Sequence, residues 1–255
     1  MKPNILIVND DGIQSPGIQA LANAMENIGS ITIVAPEQEQ SAKSHSITLN
    51  DPIRLKLVTL KRGLKGWSVK GTPVDCAKIA LKSLFKKKEP DLLISGINLG
   101  SNLGKNLIYS GTISAAFEGT ILGIPSAAIS LDSFQAKDFT AAKYVSISIA
   151  TYLLKNNLPR GTMLNVNIPY LQKNKIKGFR VTKQGKSGFI DTFEKRVDPR
   201  GESYFWIKGE IGKPDSSIEF DGEAISNGYV SITPIEFDLT NKRFINKLKK
   251  DLKYD

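Results

Sequence analysis

The chain has 255 residues, 40% of them hydrophobic and 24% charged, with a formal net charge of +10. These are the proportions of a soluble globular protein with a sizeable core, in one large domain or one domain with an appendage. No apolar run approaches bilayer length, the start does not read as a signal peptide, and a single cysteine rules out an internal disulfide, so a cytoplasmic protein is expected.

The apolar run Asn4–Val8 predicts a strand, and Pro16–Ile28 a helix with Ser15 as cap and Pro16 in its first turn. Ile31–Ala35 reads as a second strand, followed by a polar loop to His45. Ser46–Leu57 reads as extended and broken at Pro52, with Trp67–Val69 as its partner. A helix opens at Thr72 or Pro73 and runs to Lys86. Cys76 lies within it and reads as a small buried hydrophobe rather than a nucleophile. Strand Asp91–Ser95, helix Thr112–Leu122, strand Ser126–Ser130, helix Asp138–Lys155 and strand Met163–Ile168 complete an alternating series. Such alternation predicts an α/β fold with a mostly parallel, doubly wound sheet. After residue 170 the pattern changes. Phe179–Lys183 and Ser203–Glu210 read as the arms of a long hairpin, Asp221–Ser226 as a short helix and Tyr229–Thr233 as a strand, with Thr240 capping a final basic helix. Residues 1–170 therefore form the expected core, and 171–255 an appendage packed on it as one structural unit.

The positive charge raises nucleic acid as a partner. The basic residues are nevertheless spread along the chain, with clusters only at Lys86–Lys88, on a helix end, and at Lys242–Lys253. The second cluster alternates with Phe244, Ile245, Leu248 and Leu252 as an amphipathic surface helix would. There is no zinc-finger spacing and no aromatic RNA-binding signature. Solvated faces are the preferred reading, with no specific nucleic acid and no membrane as partner.

The chemistry concentrates after the first strand, at Asn9-Asp10-Asp11-Gly12. Two adjacent carboxylates at the end of a buried strand repel each other, and a cation relieves that repulsion. The carboxyl ends of strands are also where open α/β sheets bind ligands. Ser41 follows the second strand and Asn98 the strand beginning at Asp91, so their loops emerge at the same sheet edge. Two carboxylates, a hydroxyl and an amide carbonyl make a hard oxygen set suited to Mg²⁺, Mn²⁺ or Ca²⁺. Each residue alone has a structural reading as a turn, cap or loop holder; their joint placement points to a site.

Tyr109-Ser110-Gly111-Thr112 opens an Ala/Gly-rich helix, and free amides and hydroxyls there suit a phosphate. The glycines at 96, 100 and 104 spell neither a dinucleotide fingerprint nor a Walker loop. His45, the only histidine, is a candidate to protonate a leaving oxygen.

These segments together resemble the SurE (survival protein E) family of metal-dependent phosphatases. The matching stretches are Ile7–Gly17, Val34–Thr48, Gly71–Cys76, Pro90–Asn102 and Tyr109–Gly119, with weaker matches over Gly123–Ser130 and Gly228–Pro234. The resemblance implies a Rossmann-like fold, one divalent cation per subunit (Mg²⁺ or Mn²⁺) and hydrolysis of nucleoside 5′-monophosphates, with 3′-nucleotides and short polyphosphate as further substrates. The family's ligand pattern maps onto Asp10, Asp11, Ser41 and Asn98. The resemblance further implies a homodimer or homotetramer in which the C-terminal region exchanges between subunits. One departure is Ala42-Lys43-Ser44, where the family often carries glycine and a smaller residue.

The site expected from this reading has Asp10, Asn9 and His45 as catalytic residues, Asp10, Asp11, Ser41 and Asn98 on the metal, and Asn102, Ser110, Gly111 and Thr112 on the phosphate. Water and the Asp10 carboxylate both remain open as nucleophile. A rival reading is a phospho-accepting receiver, which also carries an acidic pair after its first strand. It requires an acceptor Asp after the third strand and a Lys after a later one, where this chain reads Ser-Gly-Ile-Asn and Ile-Ser-Leu. The Asp-x-Asp motif of haloacid-dehalogenase-type phosphatases is also absent.

Overall fold

The computed structural model describes residues 2–85, 88–213 and 215–252. Strand β1 (Asn4–Val8) is central, and Ile5, Leu6, Ile7 and Val8 are completely buried. Consecutive strand side chains point to opposite faces, so a strand buried along its whole length needs a layer on each side. Both layers are present. Helix α1 (Pro16–Met25) starts under its Ser15 cap as expected but stops three residues short of Ile28. It packs with α4 (Thr140–Lys155) over Ile5 and Ile7. On the other face α2 (Pro73–Ile79) and α3 (Gly111–Ile121) cover Leu6 and Val8. Cys76 is buried in this second layer, and burial pushes its thiol pKa well up, as befits a core residue.

Among the described residues the main sheet has nine strands. Strands β2 (Ser30–Pro36) and β5 (Leu92–Leu99) flank β1, both parallel to it. Beyond β5 come β6 (Ser126–Asp132) and β7 (Thr162–Pro169), also parallel. Beyond β2 lie β4 (Lys65–Lys70), parallel to it, and β3 (Arg54–Thr59), antiparallel to β4 with Leu57 opposite Trp67. The expected pairing around Trp67 is therefore present, although regular strand begins only at Arg54, past Pro52. Helix α2 carries a reciprocal capping box between Thr72 and Asp75 and ends in a π-helical turn, Ala80–Leu84. Lys86, Lys87 and Lys253 of the two basic clusters lie outside the described residues.

The C-terminal stretch differs from expectation in two respects. Strand β8 (Phe179–Val181) is not an arm of the hairpin; it pairs with β11 (Val230–Glu236), which itself runs antiparallel to β7 in the main sheet. The hairpin consists of β9 (Phe189–Val197) and β10 (Ser203–Ile211), paired over nine positions. Nor does Thr240 cap the last helix. Its amide is held by Asp238, and α6 (Ile245–Asp251) begins after Asn241, whose side chain accepts from the Phe244 amide. Helix α5 (Asp221–Ser226) lies where expected. Its buried Asp221 carboxylate accepts from the amides of Gly104 (2.9 Å) and Gly185 (3.0 Å), so this end of the chain braces the loop that leads into α3.

Candidate active site

The chain leaves β1 toward β2 on one side and later crosses to β5 on the other. Ligands bind outside the carboxyl end of the strand where that order reverses. Asp10 and Asp11 stand there. Asn9 below them is fully buried, and its amide nitrogen donates to Gly12 O (3.0 Å) and to Ser15 Oγ (2.8 Å). Both donor hydrogens are engaged within the turn that carries the two carboxylates, while the buried Asn9 Oδ1 has no partner among the described residues.

Asp10 is buried, and its Oδ1 accepts from the Thr112 hydroxyl. Burial raises its pKa against the opposing effect of that hydrogen bond. Asp11 is pushed up to about 7, first by desolvation and then by the neighbouring Asp10 charge, although its Oδ2 accepts from the Leu99 amide at 3.2 Å. Two adjacent carboxyls that both resist ionisation form a site short of positive charge. A divalent cation supplies it.

The other candidate ligands sit one residue from the pair's own hydrogen bonds. The Gln40 amide donates to the Asp10 carbonyl (2.8 Å), which brings Ser41 to the pair; the Leu99 amide on Asp11 does the same for Asn98. The Ser41 hydroxyl donates to Glu39 Oε1 (2.6 Å). The Asn98 amide nitrogen donates to Gly100 O (2.6 Å), leaving Oδ1 as its free acceptor. Asn98 lies inside β5, just after a bulge at Gly96. A Cβ on Gly96 would meet the Ile129 carbonyl oxygen at 2.3 Å, so no other residue fits that bend. Among the described residues no three His, Cys, Asp or Glu side chains gather to hold a metal. The donors that could hold one are two carboxylates, one hydroxyl and one amide oxygen, all hard oxygen ligands.

Facing the pair is the first turn of α3. Ser110 Oγ caps the Ile113 amide at 3.2 Å and the Thr112 amide bonds to Asp10, which leaves the Gly111 amide as the open donor of that turn. A Cβ on Gly111 would stand 2.9 Å from Asp10 Cβ and 3.0 Å from Asp10 Oδ2, so glycine permits the helix to approach the carboxylate. Both the hydroxyl and the amide of Thr112 bond to Asp10, so the Gly111 amide is the donor left for an anion. Asn102 is buried and clamped: its backbone amide donates to Asn167 Oδ1 (2.8 Å), its carbonyl accepts from the side chains of Asn165 (2.9 Å) and Asn167 (3.1 Å), and its side-chain nitrogen donates to Ser130 Oγ (2.9 Å). It fixes the loop into α3 rather than lying open.

His45 is in a different place from the carboxylate pair's own contacts. Its Nε2 lies 2.7 Å from Glu118 Oε1, and Lys78 Nζ lies 3.2 Å from Glu118 Oε2. Burial would raise the Glu118 pKa, but the hydrogen bonds from His45 and Lys78 outweigh it and hold the carboxyl below its usual range. Glu118 is thus an ionised acceptor, which assigns the Nε2 hydrogen to His45 and leaves Nδ1 free. Glu118 was not singled out from the sequence, although a carboxylate on an otherwise Ala/Gly-rich apolar helix was the available signal. Ser44 completes the anchorage of this loop through its amide on Tyr109 O (3.0 Å) and its hydroxyl on Ile108 O (2.7 Å). Ala42 and Ser44 both adopt left-handed backbone, with φ of 56° and 52°. The family's habitual glycine would adopt that conformation without strain.

Residues 5–191 match the family described as survival protein SurE. The chain belongs to the SurE family. It is 43% identical over 251 residues to the 5′-nucleotidase SurE of Moorella thermoacetica, covering 98% of this chain and 96% of that one. It is 44% identical over 248 residues to the 5′-nucleotidase SurE of Thermosipho africanus, covering 97% and 96%. The crystal structure of the SurE protein from Aquifex aeolicus superimposes with a TM-score of 0.84 at 40% identity, covering 97% of this chain and 99% of that one. Family membership thus agrees with the α/β fold derived from the residues.

Proposed function

We propose that this chain is a divalent-metal-dependent 5′-nucleotidase that hydrolyses nucleoside 5′-monophosphates to nucleoside and phosphate. The observation that carries this reading is the Asp10–Asp11 pair, buried side by side and resistant to ionisation, set against the open Gly111 amide at the start of α3. The 5′-nucleotidase names of relatives aligned over nearly the whole chain support it.

Asp10, Asp11, Ser41 and Asn98 would hold one cation per subunit, Mg²⁺ or Mn²⁺. When bound, such an ion polarises a phosphoryl oxygen and lowers the pKa of a water. The Gly111 amide would receive a phosphate oxygen, aided by the positive end of α3, while Thr112 stays on Asp10. Thr112 orients Asp10 through its hydroxyl. Water and Asp10 both remain candidates for the attacking group. As the imidazolium, with Nε2–H held on Glu118, His45 would carry on Nδ1 the proton that passes to the leaving 5′ oxygen. Short polyphosphate and 3′-nucleotides are further candidate substrates of the same site.

We assign residues 1–170 to the catalytic core. Residues 171–255 form its appendage, with the exposed apolar face of the β9–β10 hairpin as the contact that builds a homodimer or homotetramer. No helix of the described residues is long and apolar enough to cross a membrane, and the cytoplasm is the proposed location.

The test is phosphate release from the four common nucleoside 5′-monophosphates after chelation and after restoring Mg²⁺ or Mn²⁺, with Asp11→Asn in parallel. Release that requires the ion and disappears in the variant is expected. Equal release by Asp11→Asn at low metal would remove Asp11 from the ligand set.

A further inference from the structure

Helix α3 does more than present its first turn. Its next residues, Ile113, Phe117 and Ile121, follow one another at four-residue spacing and form a single stripe. That stripe is one wall of a cavity of about 440 Å³, which Ile108, Ile235 and Phe237 also line. Ile108 lies two residues before Ser110, and Ile113 directly follows Thr112, so the upper end of the cavity adjoins the anion-binding turn. The Ser44 bonds to Ile108 O and Tyr109 O fix its rim. Along the helix, Gly111 and Phe117 are about 9 Å apart at 1.5 Å per residue. That is the reach of a ribose carrying its base.

Apart from His45 Nδ1, which the proposed reaction uses, the polar groups at this cavity are engaged elsewhere. Ser114 Oγ donates to Ser110 O (2.8 Å), Ser44 Oγ to Ile108 O (2.7 Å) and Gln184 Nε2 to Gly104 O (2.9 Å). His45 Nε2 is bound to Glu118, and Glu236 faces Lys242. The wall therefore offers apolar and aromatic surface but few free donors with which to read a base edge. Large apolar side chains remain exposed at the mouth, Ile108 by 66% of its surface. An apolar patch of this kind beside a catalytic edge marks a ligand surface.

We propose that the upper part of this recess, between Ile108, Ile113 and Phe117, receives the nucleobase of the substrate. The base is held by burial and by contact with the Phe117 ring, not by hydrogen bonds to its edge. Two consequences follow. The four common bases are accepted with similar efficiency, because every base has an apolar face and none has an edge partner. A phosphate ester without a base is a poor substrate, because binding energy from a remote group supports the reacting one. This inference rests on the 5′-nucleotidase reading.

The experiment compares kcat/KM for the 5′-monophosphates of adenosine, guanosine, cytidine and uridine with that for ribose 5-phosphate. It uses the unaltered protein, Ile108→Ala and Phe117→Leu, with saturating Mg²⁺ or Mn²⁺. Ile108 is exposed and Phe117→Leu retains an apolar side chain, so both variants are expected to fold; melting curves check this. In the unaltered protein each nucleotide should exceed ribose 5-phosphate by about tenfold or more, the value of a modest apolar contact. Each variant should lose about tenfold on all four nucleotides, mainly through KM, and change little on ribose 5-phosphate. An equal loss on ribose 5-phosphate, or no loss on the nucleotides, would overturn the base recess while leaving the phosphatase standing. A strong preference for one base would overturn the claim of edge-blind binding. No release from any of the five esters would overturn the 5′-nucleotidase reading itself.

Discussion

The Thr112 hydroxyl donates to Oδ1 of Asp10, joining the start of α3 to the end of β1 at the carboxyl edge of the sheet. The two residues are 102 positions apart in sequence. This bond holds one carboxylate oxygen in place and offsets part of the burial that raises the Asp10 pKa. Partners that orient a metal ligand typically contribute about 10–100-fold in affinity or activity. Thr112→Val, which keeps the shape and removes the donor, should therefore weaken Mn²⁺ binding by about tenfold or more, whereas Thr112→Ser should stay near the unaltered protein. Titration of Mn²⁺ binding on the three proteins checks this. Equal affinities would show that the bond does not support the metal site.

Gly111 packs its α-carbon against Asp10. An added methyl group would stand 2.9 Å from Asp10 Cβ, inside normal contact, and 3.0 Å from Pro73 Cγ on the opposite side. The carboxylate must then move. A displacement of about 1 Å near reacting groups lowers turnover by about a hundredfold. Gly111→Ala should show that loss in kcat with only a small change in melting temperature, since alanine suits a helix better than glycine. Unchanged kcat would mean that the carboxylate is not held where this contact places it.

The pH dependence has opposite signs with and without metal. Asp11 titrates near about 7 in the folded protein and near its ordinary 3.8 when unfolded. The folded state therefore holds this proton more tightly, and a raised carboxyl pKa lowers stability as pH rises between those two values. Chelated protein should melt at a higher temperature at pH 5 than at pH 8, and Asp11→Asn should lose most of that difference. A cation competes with the same proton. Below the Asp11 pKa, apparent metal affinity should fall by about tenfold per pH unit. A flat affinity between pH 5 and 8 would mean that Asp11 carries no proton to displace.

The parts legible in the sequence are those fixed by local pattern. The alternation of apolar runs and capped helices pointed to the strands and helices of a mostly parallel sheet, and the position of Asp10 and Asp11 after β1 pointed to the proposed site at its carboxyl edge. What escaped depends on distant partners. Phe179–Val181 and Phe189–Val197 are both extended runs ahead of Ser203, and nothing local decides which of them pairs with it. The Lys and Glu residues of β9 further disguise that strand. Thr240 and Asn241 are both good cap residues, and Asp238, which takes the Thr240 amide, settles the choice. The partner of His45, Glu118, is 73 residues away. Pairings at that range are set by the sheet, not by the neighbouring residues.

Glu118 gives a further test of that long-range contact. Its carboxylate is the common acceptor for His45 and Lys78, and His45 ends the loop that carries Ser41. Glu118→Ala removes the shared acceptor of two half-exposed donors, which can turn to water, a loss of about 1 kcal/mol, and frees one anchor of the loop. Melting temperature should fall and KM should rise. Glu118→Gln keeps one acceptor oxygen and should recover most of the stability. If Glu118→Ala retained both the melting temperature and KM, Ser44 alone would suffice to hold the loop.

The hairpin makes the last prediction. In the β9–β10 register Phe193 stands opposite Ile207 and Lys195 opposite Phe205, which places Phe189, Phe193, Val197, Phe205 and Ile207 on one face. Phe193 and Ile207 are each 65% exposed, so this face is uncovered within one chain. A two-stranded hairpin alone is marginally stable in water and needs an apolar face buried against another layer. Its ties to the main body are few: the Phe189 amide on Asn106 Oδ1 and the Lys105 amide on Ser187 O, both at its base. A second copy of the chain supplies the missing layer in the proposed dimer or tetramer. Light scattering should give a native mass of two or four chains, and Phe193→Lys combined with Ile207→Lys should lower it. A monomeric parent, or a double variant of unchanged mass, would remove the hairpin from the assembly contact. Because the hairpin's base adjoins the loop from Asn102 to Tyr109, its disruption should also raise KM without abolishing turnover.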